Sequence, residues 1–412
     1  MSTRVHPTDS RAGLSPAART LFTAQLVSVS GDRFFSIALV WWLVSRSDLA
    51  DRELTLGLLL AVSTLPAALA GPLLGPIIDR VDRRSCMLIA DLGRLLLVSA
   101  LAYALHCDAL SIPILFLVCL PLFALNPLFD AAASASLPQL ATAAGMLERL
   151  IAVESAIPNV AAALGALGGS WLLAFWSIEG AFWFNAASFL VSFLFVTRLP
   201  RLQAPSTSAV EPSEAGHGYR FLRRYPAVMR LLTMFGISNF FVVPVFLYLP
   251  LLVHDVLVGD GSDLGLLEFA FAAGSLGLYA LFGIWPRRFT RTRWLRFMLA
   301  AAAGALLWML GLASSLKPMA AILFVAGISV AFVNYLAVAS FQRGIPDRFK
   351  GRFFALLTSI CSAGVPLSFA LFGYLSSRYP LPLLIGANAI CVLVVSLGYL
   401  GVPDDRLPRT GR

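Results

Sequence analysis

Charge is what this 412-residue chain has least of: 13% of its residues are Asp, Glu, Lys or Arg, against 58% hydrophobic. Soluble domains carry about 25% charged residues. A water-soluble enzyme is excluded on that ground, and the chain is placed in lipid. Lysine is almost missing. The two present, Lys317 before Pro318 and Lys350 before Gly351, leave no G-x-x-x-x-G-K-[ST] loop to cradle a nucleotide phosphate. The four histidines are dispersed, mostly in tails or loops, so they form no metal-ligand spacing. The five cysteines (Cys86, Cys107, Cys119, Cys361, Cys391) are odd in number and mostly inside apolar runs, where they read as small hydrophobic side chains. Gly236-Ile237-Ser238-Asn239-Phe240 fails the G-x-S-x-G elbow at its last position. No catalytic residue, cofactor or metal is expected, and any work the chain performs must draw on a gradient.

What is present are apolar runs of about 20 residues rather than the ten-residue alternation of a barrel, which predicts an all-α membrane protein. The runs fall at 21–44, 54–78, 86–105, 112–133, 150–173 and 179–197, then at 229–252, 264–285, 294–313, 319–340, 353–375 and 381–401. The first is too long for a signal peptide and lacks a small-residue cleavage site, so it counts as a span. Twelve transmembrane helices follow, in an N-terminal six-helix bundle (1–198) and a C-terminal one (227–412) joined by a Pro, Ser and Glu-bearing linker (199–226).

The net charge of +9 sits in short arginine clusters between the runs, which reads as a topology signal and not as a nucleic-acid surface. With the N-terminus inside, only Arg46, Arg52, Lys317 and Arg378 face outward; Arg33 and Arg94 lie within spans, and the other 25 of the 31 Lys and Arg are inside. That bias predicts cytoplasmic termini and linker. The halves also overlay weakly in parallel, Gly31–Phe35 on Ile237–Phe241 and Gly75–Arg84 on Gly283–Thr292. Two parallel bundles rocking about a midplane site fit this pattern.

The densest charge lies between spans two and three, in Gly75-Pro76-Ile77-Ile78-Asp79-Arg80-Val81-Asp82-Arg83-Arg84. This stretch resembles the G-x-x-x-D-R-x-G-R-R loop of the major facilitator superfamily, with Asp82 in place of the second glycine. Other residues resemble the branch that contains macrolide-efflux and enterobactin-export proteins: Ser30-Gly31-Asp32, Asp91-Leu92-Gly93-Arg94, Asn239-Phe240 with Pro244, Leu249-Pro250-Leu251, and Pro346 with Lys350-Gly351-Arg352. Ala166 and Ala131 depart from it, standing where prolines are common.

A cytoplasmic latch is expected on physical grounds and is implied by the resemblance. Gly75 allows close helix approach, and Asp79 can accept from N–H groups where Gly351-Arg352 opens span eleven. The resemblance implies a charge relay at the same depth, with Arg80, Arg83 and Arg84 beside Asp79, Arg83 or Arg84 bridging to Asp130, and Asp91 and Arg94 available to join.

Ionisable groups at bilayer depth are functional candidates by default. Asp32 lies about 11 residues into span one, roughly 16 Å deep at about 1.5 Å per residue. Gln25, Ser28, Asp32 and Ser36 share its face, a polar stripe suited to a cavity wall. Arg33 points about 100° away and needs another acid, Glu154 or Glu268. Asn126, Asp130 and Ser134 recur every four residues in span four. Asp32, Glu154 and Glu268 are the expected proton-coupling groups, with Gln25, Ser28, Ser36, Asn126, Asn239 and Asn334 as cavity residues. The resemblance implies a monomeric transporter in a bacterial inner membrane, exporting amphiphilic small molecules against protons by alternating access. An uptake permease of the same fold and a transport-inactive interaction protein are the alternatives.

Overall fold

The computed structural model describes residues 14–46, 49, 51–78, 81–141, 146–202, 226–284, 292–345 and 347–402, and the apolar runs are helices throughout. In hydrocarbon each backbone N–H must find its carbonyl within the same segment, and long Leu, Ala, Val and Phe-rich runs do so as helices. The first half holds α1 (Pro16–Val44), α2 (Arg52–Ile78), α3 (Arg83–His106), α4 (Ile112–Leu140), α5 (Met146–Phe175) and α6 (Ile178–Val196). Caps fix several starts. Ser15 Oγ accepts from Ala18 N at 3.2 Å to open α1, and Asp82 Oδ2 accepts from Ser85 N at 2.9 Å to open α3.

In the second half α7 (Pro226–Val242) and α8 (Val245–Asp255) form one span broken at Val243-Pro244, where proline lacks a donor for the helical ladder. It continues with α9 (Gly261–Ile284), α10 (Thr292–Leu312), α11 (Leu316–Gly344), α12 (Asp347–Ser376), α13 (Leu381–Gly398) and a 3₁₀ turn at Tyr399–Gly401. Among the described residues eleven of these spans have the length and composition to cross a membrane, and α5, with 30 residues, is a twelfth helix of membrane length. One expected boundary moves. Because α12 starts at Asp347, its free first-turn N–H groups lie ahead of Gly351-Arg352, which sit inside the helix instead of opening it.

Within the first half α1 packs on α5 and α6, α3 on α4 and α6, and α2 on α4; in the second, α9 packs on α11, α10 on α11 and α13, and α7 on α12 and α13. The halves meet along two seams, α2 against α12 and α5 against α9. With faces named as the charge bias orients them, the outer part of the first seam is a backbone contact. A Cβ on Gly57 would lie 2.5 Å from Gly373 Cα, so no side chain fits there.

One hydrophobic cluster at this end draws on both halves, with Phe35, Leu39 and Leu56 in the same core as Tyr248, Leu252 and Phe372. Arg52, first in α2, reaches across to the end of α8, its Nη2 lying 2.7 and 3.0 Å from the Asp255 carboxylate oxygens and its Nη1 3.1 Å from His254 Nδ1. The nearby loop ends on Asp260, whose carboxylate accepts from Ser262 Oγ at 2.5 Å and from Ser262 N at 2.8 Å. The Ser262 hydroxyl above all holds the Asp260 carboxyl below its ordinary pKa. Toward the inner end the halves have separate cores, one around Leu21, Met87, Phe129 and Leu150, the other around Leu232, Phe341, Phe353 and Tyr399.

Candidate functional site

A cavity of about 570 Å³ lies within the first half. From α1 it receives Gln25, Asp32, Arg33 and Ser36; from α4, Asn126, Asp130 and Ser134; from α5, Glu154 and Ser155. The four-residue repeat in α4 therefore delivers one polar face to the site, as its spacing predicts. The stripe on α1 does so only in part. Ser28 is 1% exposed and packed away from the cavity, whereas Arg33 lines it beside Asp32 because the space extends around the helix. Gly165 and Gly168 let α5 approach closely here, since a Cβ on them would lie 2.3 Å from Arg33 Cβ and 2.5 Å from a Phe34 ring carbon.

Arg94 of α3 organises the charges. It forms a close ion pair with Asp91 one turn earlier, its Nη1 donates to Asn126 Oδ1 at 3.2 Å, and the same nitrogen lies 4.0 Å from Asp32 Oδ2. Its guanidinium is stacked near the rings of Phe129 and Phe189, at 4.7 and 4.5 Å. Ser192 Oγ donates to Asp91 Oδ2 at 2.8 Å, and Asn185 Nδ2 to Asp32 Oδ1 at 3.4 Å. Asp91 and Arg94 are 0% and 2% exposed, so each charge depends on the other. Two carboxylates thus share one guanidinium, and protonating Asp32 changes the field at the buried pair.

Glu154 accepts from Ser134 Oγ at 2.6 Å. Of the two acids left open for Arg33, neither forms a recorded ion pair with it among the described residues; its charge is felt by Glu268 of the other half and by Asp32. Glu268 is not among the residues lining the cavity. Asn239 and Asn334 line a pocket of about 30 Å³ in the second half and are not among the residues lining the larger cavity. Asn239 Nδ2 donates back to Phe235 O at 2.9 Å.

In the charged loop Asp79 and Arg80 lie outside the described residues, as do the surroundings of Gly75 in α2 and Arg352 in α12. Arg83 and Arg84 are described and do not bridge to Asp130. Arg83 Nη1 donates to Ala135 O at 2.5 Å, while Arg84 donates to Val196 O at 3.3 Å and Thr197 O at 2.6 Å, where the end of α6 leaves carbonyls without helical donors. Asp82 has two roles that glycine could not fill, capping α3 and accepting from Leu202 N at 3.0 Å.

Sequence reasoning passed over Asn185 and Ser192, although Asn185, Ser188 and Ser192 form a polar stripe at helical spacing in an otherwise apolar run.

The sequence model of the Major Facilitator Superfamily matches residues 21–368. Macrolide efflux protein A of Streptococcus pyogenes is 25% identical over 403 residues, covering 91% of this chain and 94% of that protein. The uncharacterized MFS-type transporter YfiS of Bacillus subtilis (strain 168) is 26% identical over 415 residues, covering 95% and 94%. A crystal structure of a D-xylose-proton symporter shares the fold with a TM-score of 0.74 at 13% identity, over 95% of this chain and 98% of that one.

Proposed function

The chain belongs to the Major Facilitator Superfamily, and on that premise we propose that it is a proton-coupled exporter of amphiphilic small molecules, working by alternating access as a monomer in a bacterial inner membrane. In this reading residues 1–198 and 227–412 are the rocking bundles and 199–226 is the cytoplasmic linker. The observation that carries it is the shared guanidinium. Asp32 stands at the cavity wall 4.0 Å from Arg94 Nη1, and Arg94 is bonded to the buried Asp91. A proton taken by Asp32 from the outer side releases Arg94 to Asp91 alone; return of the Asp32 charge, once the cavity opens inward, restores the shared arrangement. The similarity to a macrolide efflux protein supports the outward direction of substrate movement.

The energetics are sufficient with one proton. Inward movement across 100 mV contributes about 2.3 kcal/mol and one pH unit about 1.4 kcal/mol more. Together they sustain a substrate gradient of between about two and three decades. The test is substrate accumulation in oriented vesicles under an imposed pH gradient, whose sign separates export from uptake. We expect Asp32→Asn to abolish gradient-driven accumulation while downhill exchange persists, because the amide imitates the protonated acid. Proton-driven accumulation retained by that variant would move the coupling role to Glu154 or Glu268.

A further inference from the structure

The broken span of the second half leaves one carbonyl without its helical donor. Val243 N still donates to Asn239 O at 3.0 Å, and the ladder resumes where Tyr248 N donates to Pro244 O at 3.0 Å. Between them the carbonyl of Phe240 would accept from the N–H of residue 244, and proline has none to give. A carbonyl left unpaired at membrane depth is costly. Ser368 of α12 supplies the donor, its Oγ lying 2.6 Å from Phe240 O.

The contact is specific. Ser329, Ser340 and Ser376 turn their hydroxyls onto the carbonyl four residues back in their own helices, at 3.0, 2.7 and 2.7 Å, whereas the fully buried Ser368 reaches across to another helix. Phe372 lies one turn further along the same face of α12, its ring centroid 6.0 Å from that of Phe240 before the break and 6.5 Å from that of Tyr248 after it. One face of α12 therefore spans the break. Beyond it Asn388 Nδ2 of α13 donates to Tyr248 OH at 3.0 Å, both side chains being buried, which ties α8 to a second helix of its own half.

We infer that Ser368 is a positioning residue that fixes the bend between α7 and α8, so that α8 moves with the second half as one body and does not swing on Pro244. The consequence lies at the outer end. There α8 carries Leu252 into the cluster shared by both halves and Asp255 onto Arg52, so the angle at which it leaves α7 decides whether those surfaces meet. Only the outer-closed form needs α8 at that angle. The inference requires the superfamily fold alone and is independent of the substrate, of proton coupling and of the direction of transport.

The test uses the full chain in nanodiscs, with Cys107, Cys361 and Cys391, the cysteines that are not buried, replaced by alanine. Spin labels on Val256→Cys and Leu383→Cys, both at exposed positions, report α8 against α13; labels on Val256→Cys and Tyr103→Cys report α8 against the first half. Gly57→Leu, which overfills the outer seam, is expected to lengthen the second distance and leave the first unchanged. Ser368→Ala should add a displaced α8 population to the first distance, the ratio of native to displaced falling about tenfold for one buried hydrogen bond left unmade. Ser368→Thr keeps the hydroxyl and should keep the native distance. Pro244→Ala returns an N–H to Phe240 O, so adding Ser368→Ala to that variant should change nothing further. If Ser368→Ala does not fold, Ser368→Gly lacks the same hydroxyl and reads the same ratio. Three results would each overturn the inference: a first distance that lengthens in step with the second under Gly57→Leu, no displaced population in Ser368→Ala, or an equal effect of that substitution with and without Pro244.

Discussion

At the outer end the two halves share one hydrophobic cluster, a glycine-to-glycine backbone contact and the Arg52–Asp255 ion pair; toward the inner end each half keeps a core of its own. The same helices build both ends, so the difference describes a conformation and not a composition. Outer closure is carried mainly by apolar packing and by the absence of side chains at Gly57 and Gly373. The ion pair, with Asp255 41% exposed, adds little to it. Among the described residues the halves share a core at the outer end and keep separate cores toward the inner end, an arrangement suited to rocking, because reopening the outer end requires one seam to part while each half stays intact.

The strongest way to break the contrast is to fill the seam. Gly57→Leu would place a side chain against Gly373 Cα and Phe369 O, where a Cβ alone would lie at 2.5 and 2.6 Å. We expect transport to fall by more than about tenfold, in line with the cost of overpacking. Val44 is 0% exposed in the native chain, so a thiol introduced by Val44→Cys should react faster with an impermeant maleimide in that background than in the otherwise native chain. Wild-type transport with an unreactive thiol at that position would mean the seam does not hold the outer end.

Less is expected at the inner end from Asp82→Ala, which removes the α3 cap and the acceptor for Leu202 N. The cost is about 1 kcal/mol, read as a melting temperature lower by a few degrees, with transport per folded molecule nearly unchanged. A transport defect without a stability loss would assign this loop a gating role instead.

Arg52→Ala should shift the balance between outer-closed and outer-open forms by at most about fivefold, from about 0.5–1 kcal/mol, and the shift should shrink in high salt. Exchanging the charges, Arg52→Asp with Asp255→Arg, should return the reactivity of the Val44→Cys thiol to its level in the otherwise native chain. Restoration failing while each single variant behaves as expected would assign the contact to His254 in place of Asp255. The smallest effect concerns pH. Because the folded pKa of Asp260 is depressed, its contribution is present above the ordinary carboxylate value near about 4 and is lost as pH falls through the lowered folded value. Amide exchange at Ser262 and Asp263 should therefore quicken on the acid side, and Asp260→Asn should show that faster exchange at neutral pH.

Much of this architecture follows from local chemistry and was open to reading. Runs of about 20 apolar residues permit only helices in lipid, and the pairing of Asp91 with Arg94 follows from their separation by one turn. The four-residue spacing of Asn126, Asp130 and Ser134 likewise placed all three on one wall. These features depend on residues near one another in the chain, where helical geometry alone determines who meets whom.

The rest depended on how helices distant in sequence pack. Asp32 meets Arg94 because α1 and α3 both pack on α6, and Asn185 joins them from that helix. The Arg33 charge reaches Glu268 because α9 lies against α5 and α1 across the halves, while Glu154 accepts from Ser134 Oγ. Asn239 and Asn334, on α7 and α11, come together at a small pocket in the second half through packing of helices distant in sequence. By itself the sequence determined the helices, their charge bias and the polar faces they carry, since periodicity and lipid leave no other choice. Which faces enclose one cavity, which acids share one guanidinium and which end is shut were decided only by the tertiary structure, because each depends on volumes and distances between segments that no local spacing encodes.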